Sequence, residues 1–299
     1  MATAAARFDE AFLRKLEALT VIAKRARGGD AGAERRGRRV GAGIELADHR
    51  EYVPGDDVRA LDWNLYARTG RPYVRLREED EDLTLALILD GSASMGVGAP
   101  PKLELAARIA AAVAYIGLSS LDRVSVALVA GAVREALPPV RGRGGAARVF
   151  EMLERATADG QTDLTASARQ VLAARGGTRR GLALLISDLH DPAGWLPALD
   201  ALRTARQEIV VVHVTAAGDA SLPPEIDGDV VLEDVETGAT CELALTPAAR
   251  RAHAERWAAG LRAISGACRE RAITYLQIDA AIPFEDAVLR LLRTGGLLA

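Results

Sequence analysis

Residues 85–96 read LALILDGSASMG, and the fold turns on how that stretch is understood. An apolar run stops at Asp90, and Ser92 and Ser94 follow at alternate positions. A short, unbroken apolar run bounded by Gly and Ser is the pattern of a strand covered on both faces. With its first residues the run spans 83–89 (LTLALIL), and similar runs recur at 123–130 (RVSVALVA), 181–187 (GLALLIS) and 208–214 (EIVVVHV). Helical stretches at 102–120, 145–156, 163–175 and 192–205 lie between them. This alternation implies an α/β fold, a mostly parallel sheet with right-handed crossovers and helices on both faces. AVREAL (132–137) is shorter and more polar, and reads as an antiparallel edge strand joined to 123–130 by a turn at Gly131.

Outside this middle region the texture changes. Phe8, Phe12, Leu16, Leu19 and Ile22 form one apolar stripe, which predicts a helix over 8–24. The stretch 24–39, KRARGGDAGAERRGRR, has no periodicity and reads as an exposed connection whose electrostatic counterpart is EEDED at 78–82. Without interleaved aromatic residues it does not read as a nucleic-acid contact. After 215, residues 221–245 predict a hairpin with ETGA at its turn. A helix over 247–271 follows, with Thr246 as N-cap and Pro247 in its first turn, then a last strand at 273–278 and a last helix at 284–294. The expected organisation is an N-terminal region (1–80), a central α/β domain (81–220) and a C-terminal extension (221–299) packed on it.

Composition narrows the class. The chain has 299 residues and a formal charge of −3, which marks neither a nucleic-acid binder nor an acidic tail protein. Two cysteines, Cys241 and Cys268, make no disulfide framework and no metal-site spacing. The charged N-terminus is not a signal peptide, and the apolar stretch IAAAVAYIGL (109–118) is shorter than the ~20 residues a spanning helix needs. These features predict a soluble, cytoplasmic protein without a membrane span.

In open α/β sheets, ligands bind at the carboxyl ends of the strands. Three points of the sequence fall there: Asp90-Gly-Ser92-Ala-Ser94, Thr162 in DGQTDLT, and Asp188 in LLISDLHD. In extended backbone, Asp90, Ser92 and Ser94 would point the same way. All five side chains offer oxygen, and hard oxygen donors with few full charges suit Mg²⁺ or Mn²⁺. An acid from a partner protein could then complete the ion's shell, which would make a binding site whose metal bridges to that acid. Each residue also has an ordinary structural role open to it. Ser94 would cap a turn, Thr162 would cap the helix at 163–175, and Asp188 would accept backbone hydrogen bonds. Asp191 followed by Pro192 accounts for the cap of the following helix, which leaves Asp188 free.

Other chemistries fit less well. A nucleophile elbow needs Gly two residues before the serine, and Ser92 stands there. An aspartyl nucleophile of the phosphatase type needs a second Asp at 92. GVGAPPK (96–102) fails the P-loop spacing at Pro101, and His190 is an ordinary loop histidine. A metal-dependent hydrolase acting on phosphate or acyl esters is the alternative function, and it lacks an evident general base.

The set Asp90-x-Ser92-x-Ser94, Thr162 and Asp188 resembles the metal-ion-dependent adhesion site of von Willebrand factor A domains, and the element order at about 82–215 agrees with that fold. The block 41–68 resembles the signature of the domain-of-unknown-function 58 family through Arg50, Tyr52, Gly55, Asp56, Asp57, Arg59, Asp62, Trp63, Ala67 and Arg68. LISDL (185–189) and DVETG (234–238) are similar to that family too, whereas TAAGDASLPP (215–224) departs from its acidic version. The resemblance implies a non-enzymatic adaptor working with a MoxR-type AAA+ ATPase in protein assembly or maturation. Within the block, Val53-Pro54-Gly55-Asp56 predicts a turn, Asp57 the cap of a helix carrying Val58, Leu61 and Leu65, and the alternating Arg and Asp residues an ion-pair cluster.

Overall fold

A computed structural model of the chain describes residues 7–27, 39–41, 45–54, 56, 58, 61–79, 84–174, 181–221, 226 and 228–294. The elements, in order, are α1 (Glu10–Arg27), β1 (Arg39–Gly41), β2 (Glu45–Glu51), α2 (Trp63–Thr69), β3 (Tyr73–Glu79), β4 (Thr84–Asp90), α3 (Lys102–Ser119), β5 (Arg123–Val129), β6 (Val133–Arg141), α4 (Ala146–Glu154), α5 (Leu164–Ala174), β7 (Gly181–Ser187), α6 (Leu196–Thr204), β8 (Gln207–Thr215), α7 (Ala217–Ala220), β9 (Gly228–Glu233), β10 (Thr240–Leu245), α8 (Pro247–Glu270), β11 (Thr274–Asp279) and α9 (Phe284–Thr294). They fall into two compact units, one of residues 27–82 and one joining 1–26 to 83–298.

The larger unit is built on a six-stranded sheet of order β11-β8-β7-β4-β5-β6. All neighbours run parallel except β6, which pairs antiparallel with β5 at the edge. This is the expected von Willebrand factor A-like α/β architecture. Alternation along each strand gives the sheet two buried faces. Leu85, Leu87, Leu89, Leu182, Leu184 and Ile186 join the core under α1, α3, α4 and α9. Ile88, Ala127, Val129, Ala183 and Leu185 join the core with residues of α5 and α6. Burial on both faces explains why β4 reads as an unbroken apolar run, since all its residues are buried. The edge strand β6 shows the complementary pattern of half-exposed positions, and tolerates Pro138 and Pro139 at the sheet margin. From β4 the chain passes to β5 on one side, and later returns to β7 on the other. The crevice at the carboxyl ends of β4 and β7 is therefore the switch point at which such sheets bind ligands.

The smaller unit holds a three-stranded antiparallel sheet, β1-β3-β2, and α2. The turn over Val53–Asp56 is closed by Asp56 N–H donating to the Val53 carbonyl at 3.0 Å. Arg50 donates to both Asp56 carboxylate oxygens at 2.9 and 2.8 Å, one pair of the expected cluster. The expected helix start is corrected. Asp62 caps α2, accepting from the Asn64 and Leu65 amides, and Leu61 bridges to Val74 instead of lying on a helix. Asp57 and Arg59, the basic residues of 28–38, the acidic residues 80–82 and the loop 222–225 lie outside the described residues.

Candidate functional site

Strand β4 ends at Asp90, whose side chain is fully buried. Its Oδ1 accepts from the Ser92 amide at 2.9 Å, and its Oδ2 from the Ser187 hydroxyl at 2.5 Å. After Ser92 the chain does not stay extended. It enters a 3-10 turn over Ala93–Gly96. The alternation argument for Ser92 and Ser94 is therefore corrected, and their convergence has a different cause. The turn winds Ser94 back so that the two buried hydroxyls lie 3.1 Å apart.

The loop that carries Thr162 is stitched to this turn. Ala93 N–H donates to the Gly160 carbonyl at 2.9 Å, and Asp159 N–H to the Gly91 carbonyl at 2.8 Å. The Arg134 guanidinium, reaching in from β6, donates to the carbonyls of Gly91, Thr157 and Asp159. A side chain at Gly91 would put Cβ 2.8 Å from Leu128 Cδ1 and 3.2 Å from the Thr157 carbonyl, so Leu128 and the Thr157 carbonyl would have to shift to admit one. The two structural roles assigned nearby are corrected. Asp163, not Thr162, caps α5, accepting from the Ala166 amide at 2.7 Å. Asp191 caps no α6 turn, because α6 begins at Leu196; it accepts from the Leu164 and Ala193 amides. Freed from capping, the Thr162 hydroxyl donates to Glu236 Oε1 at 2.7 Å, and the Thr162 amide donates to Oε2 at 2.8 Å.

Asp188 follows β7, the parallel neighbour of β4, so both acids stand at the same edge of the sheet. Its Oδ1 accepts from the His190 amide at 3.2 Å, the backbone role foreseen for it. Its Oδ2 faces the ammonium of Lys102 at 2.7 Å, with both side chains 1% exposed. At that distance the buried ammonium and carboxylate form a close ion pair, and His190 Nδ1 lies 3.5 Å from the same oxygen. Lys102 also lies 3.5 Å from Asp219 Oδ1. Burial works against ionisation of Asp188, but the Lys102 ammonium and His190 hold it below the usual carboxylate range. Burial, reinforced by the Asp188 charge, pushes the Asp90 carboxyl up to about 6. Behind them His213, pushed down to about 4 by burial, bonds through Nδ1 to the Tyr275 hydroxyl at 2.7 Å.

The structure thus gathers Asp90, Ser92 and Ser94 into one bonded group and sets Asp188 beside Asp90. Thr162 bonds to Glu236, and Asp188 pairs with Lys102. Ser94 and Glu236 share an open cleft of about 540 Å³, lined also by His190, Pro192 and residues of the β9–β10 hairpin. Sequence reasoning missed Lys102, Ser187, Arg134 and Glu236. The DVETG motif was the one available signal for Glu236.

A divalent ion fits the donor set. The five candidate donor groups all offer oxygen, with the Lys102 ammonium beside Asp188, and the Ser92–Ser94 separation of 3.1 Å matches two adjacent octahedral ligands. Such ligands lie about 3 Å apart when each is ~2.1 Å from the ion. Asp90 is fully buried and accepts from the Ser92 amide and the Ser187 hydroxyl, whereas the Asp188 charge is already matched by Lys102. Among the described residues no group of three or more His, Cys, Asp or Glu side chains forms a metal cluster, so any ion here depends on the hydroxyls.

Fold and strand-end site together define a von Willebrand factor A-like α/β protein. The model of the family described as "Protein of unknown function DUF58" matches residues 48–263, and the chain belongs to that family. The uncharacterized protein Rv1480 of Mycobacterium tuberculosis H37Rv is 35% identical over 215 residues, covering 70% of this chain and 66% of that protein. The uncharacterized protein Mb1516 of Mycobacterium bovis matches to the same extent. The matched stretch thus spans just under two thirds of these relatives. Among solved structures, the conserved hypothetical protein BatB from Bacteroides thetaiotaomicron aligns at 17% identity and TM-score 0.46, over 72% of this chain and 98% of that one. A von Willebrand factor type A protein from Catenulispora acidiphila aligns at 18% identity and TM-score 0.35, over 46% and 34%.

Proposed function

We propose that the chain is a non-enzymatic, metal-dependent protein-binding adaptor. Asp90, Ser92, Ser94, Thr162 and Asp188 would hold Mg²⁺ or Mn²⁺, and an acidic side chain of a partner would complete the ion's shell. By family resemblance that partner, or the motor acting with it, is a MoxR-type AAA+ ATPase engaged in protein assembly or maturation. The observation that carries the metal reading is the set of buried oxygens at the β4–β7 switch point, with the Ser92 and Ser94 hydroxyls 3.1 Å apart. Binding rather than catalysis is favoured because the two serines bond to each other while Lys102 is held by acids and His213 by Tyr275. Lys102 and His213 are therefore engaged elsewhere and are not placed to activate a hydroxyl nucleophile. The expected location is the cytoplasm; no described helix is long and apolar enough to cross a membrane.

Calorimetric titration of the purified chain with Mn²⁺ tests the reading. One ion should bind, and Ser92→Ala with Ser94→Ala should weaken it by at least about tenfold, as loss of metal-site groups does. The melting temperature in chelator should change little. A wild-type chain that takes up no Mn²⁺ overturns the proposal.

A further inference from the structure

We infer that Glu236 is a built-in carboxylate that closes the candidate site, standing where a partner's acid must arrive. The inference rests on the metal-binding reading above and adds its regulation. Glu236 grips Thr162 with both oxygens, one on the hydroxyl and one on the amide. It reaches there from the turn of the β9–β10 hairpin, and that turn is shaped to deliver it. Asp234 Oδ1 accepts from the Glu236 amide at 2.8 Å and the Thr237 amide at 3.2 Å. Gly238 takes a left-handed conformation (φ 70°) while its amide donates to the Asp234 carbonyl at 2.7 Å. Between Val231 and Thr240 every residue except Glu236 is exposed to solvent. A half-buried carboxylate turned inward from an otherwise solvent-facing turn gives up part of its hydration, and among the described residues the Thr162 hydroxyl and amide donate to it in exchange.

The placement matters because Ser94 and Glu236 line the same cleft. An acid from outside that seeks an ion on Ser92 and Ser94 enters the space that Glu236 already fills. The hairpin is suited to yield. Strands β9 and β10 pair only with each other, and nearly all their residues are exposed. Elements with so little buried apolar surface open at low cost. Partner binding is then an exchange of one carboxylate for another, with the hairpin swinging away as the new acid takes its place. Exchange of like for like leaves the net electrostatic gain small, so the closed state acts as a threshold that weak acidic ligands fail to pass.

The test uses the full-length chain, Mn²⁺ and acetate as the simplest carboxylate. Mn²⁺ affinity is first measured for the wild type, Glu236→Ala and Glu233→Ala. Glu233 lines the cleft, makes no bond to Thr162, and controls for the loss of one negative charge. Acetate is then titrated into each Mn²⁺-loaded chain while the relaxation of solvent water protons is followed. Glu236→Ala should start from a higher relaxation enhancement and lose it at an acetate concentration about tenfold lower than wild type, a shift of about 1.4 kcal/mol. Glu233→Ala should behave as wild type. Hydrogen exchange should show the Thr162 amide deprotected in Glu236→Ala alone. If all three chains bind Mn²⁺ and respond to acetate alike, the gate is overturned while the metal reading stands. If none binds Mn²⁺, the metal reading falls and takes the gate with it.

Discussion

Lys102 is among the largest fully buried side chains of the molecule, and it carries a charge in a place that does not favour one. It is the first residue of α3, where the helix dipole opposes a cation. Asp188 at 2.7 Å and Asp219 at 3.5 Å override that penalty. Removing the ammonium alone leaves two acids facing each other without a counter-charge. Lys102→Met should therefore cost about 3–5 kcal/mol of unfolding free energy in chelator. Adding Asp188→Asn should recover most of it, because the remaining groups are then neutral or hydrogen-bonded. Urea denaturation of the single and double variants measures both. A loss in the double variant as large as in the single would show that the cost does not come from leaving the Asp188 charge unpaired. None of this was legible in GVGAPPK, where Lys102 registered only as the end of a failed P-loop. The acids it meets lie far along the chain, and only the packing of α3 against the sheet brings them together. Asp90, Ser92 and Ser94 were legible as a group, but for a different reason: a 3-10 turn, not an extended segment, brings the hydroxyls together.

The elements around the site show which signals survive translation from pattern to structure. Strands β4, β5, β7 and β8 were legible because burial on both faces leaves an unmistakable apolar run. Helix starts were less legible where several acids and hydroxyls stood in a row. In DGQTDLT both Thr162 and Asp163 suit an N-cap, and the backbone geometry selects Asp163. The loops between elements depend on a contact that sequence does not announce, the Arg134 guanidinium on the carbonyls of Gly91, Thr157 and Asp159. It holds the two loops at the separation their cross-links require. Arg134→Ala should leave the sheet intact and loosen this junction. The Ala93 and Asp159 amides, which bridge the loops, should exchange faster by a factor corresponding to about 1–2 kcal/mol, the range for lost charge-assisted bonds. Amides in the middle of β4 should keep their protection. Uniform loss along β4 would instead mean that Arg134 supports the whole sheet edge.

At the scale of the molecule, the chain leaves its larger unit and returns to it. Residues 1–26 belong with 83–298, and residues 27–82 form a unit of their own. The stripe of α1 was legible as a helix, but not the surface it covers. Phe12, Leu16 and Leu19 are buried while Ile22 is 44% exposed, and Ala23 takes the buried position in the last turn. Phe12 sits in an aromatic cluster with its ring 4.7 Å from Phe284 of α9 and 6.4 Å from Phe150 of α4. Three segments widely separated in sequence thus close one side of the sheet. In a chain with so few aromatics, such a cluster carries a large share of the buried apolar area on that face. Phe12→Ala should destabilise the larger unit by about 3–5 kcal/mol, the range for emptying a buried phenylalanine site. Because Phe12 precedes the smaller unit in sequence, the loss must reach α4 and α9 through packing rather than through chain connection. The check is thermal unfolding followed at two cysteines that differ in depth. Cys241 is exposed and reacts throughout, while Cys268 is fully buried, its thiol pushed up to about 11 by burial. Cys268 lies in the core on the opposite face of the sheet from Phe12. If the larger unit unfolds as one body, Phe12→Ala should lower the temperature at which Cys268 becomes reactive by the same amount as it lowers the loss of helical signal. A variant in which the helical signal falls early while Cys268 stays protected would show that α1, α4 and α9 open separately from the sheet.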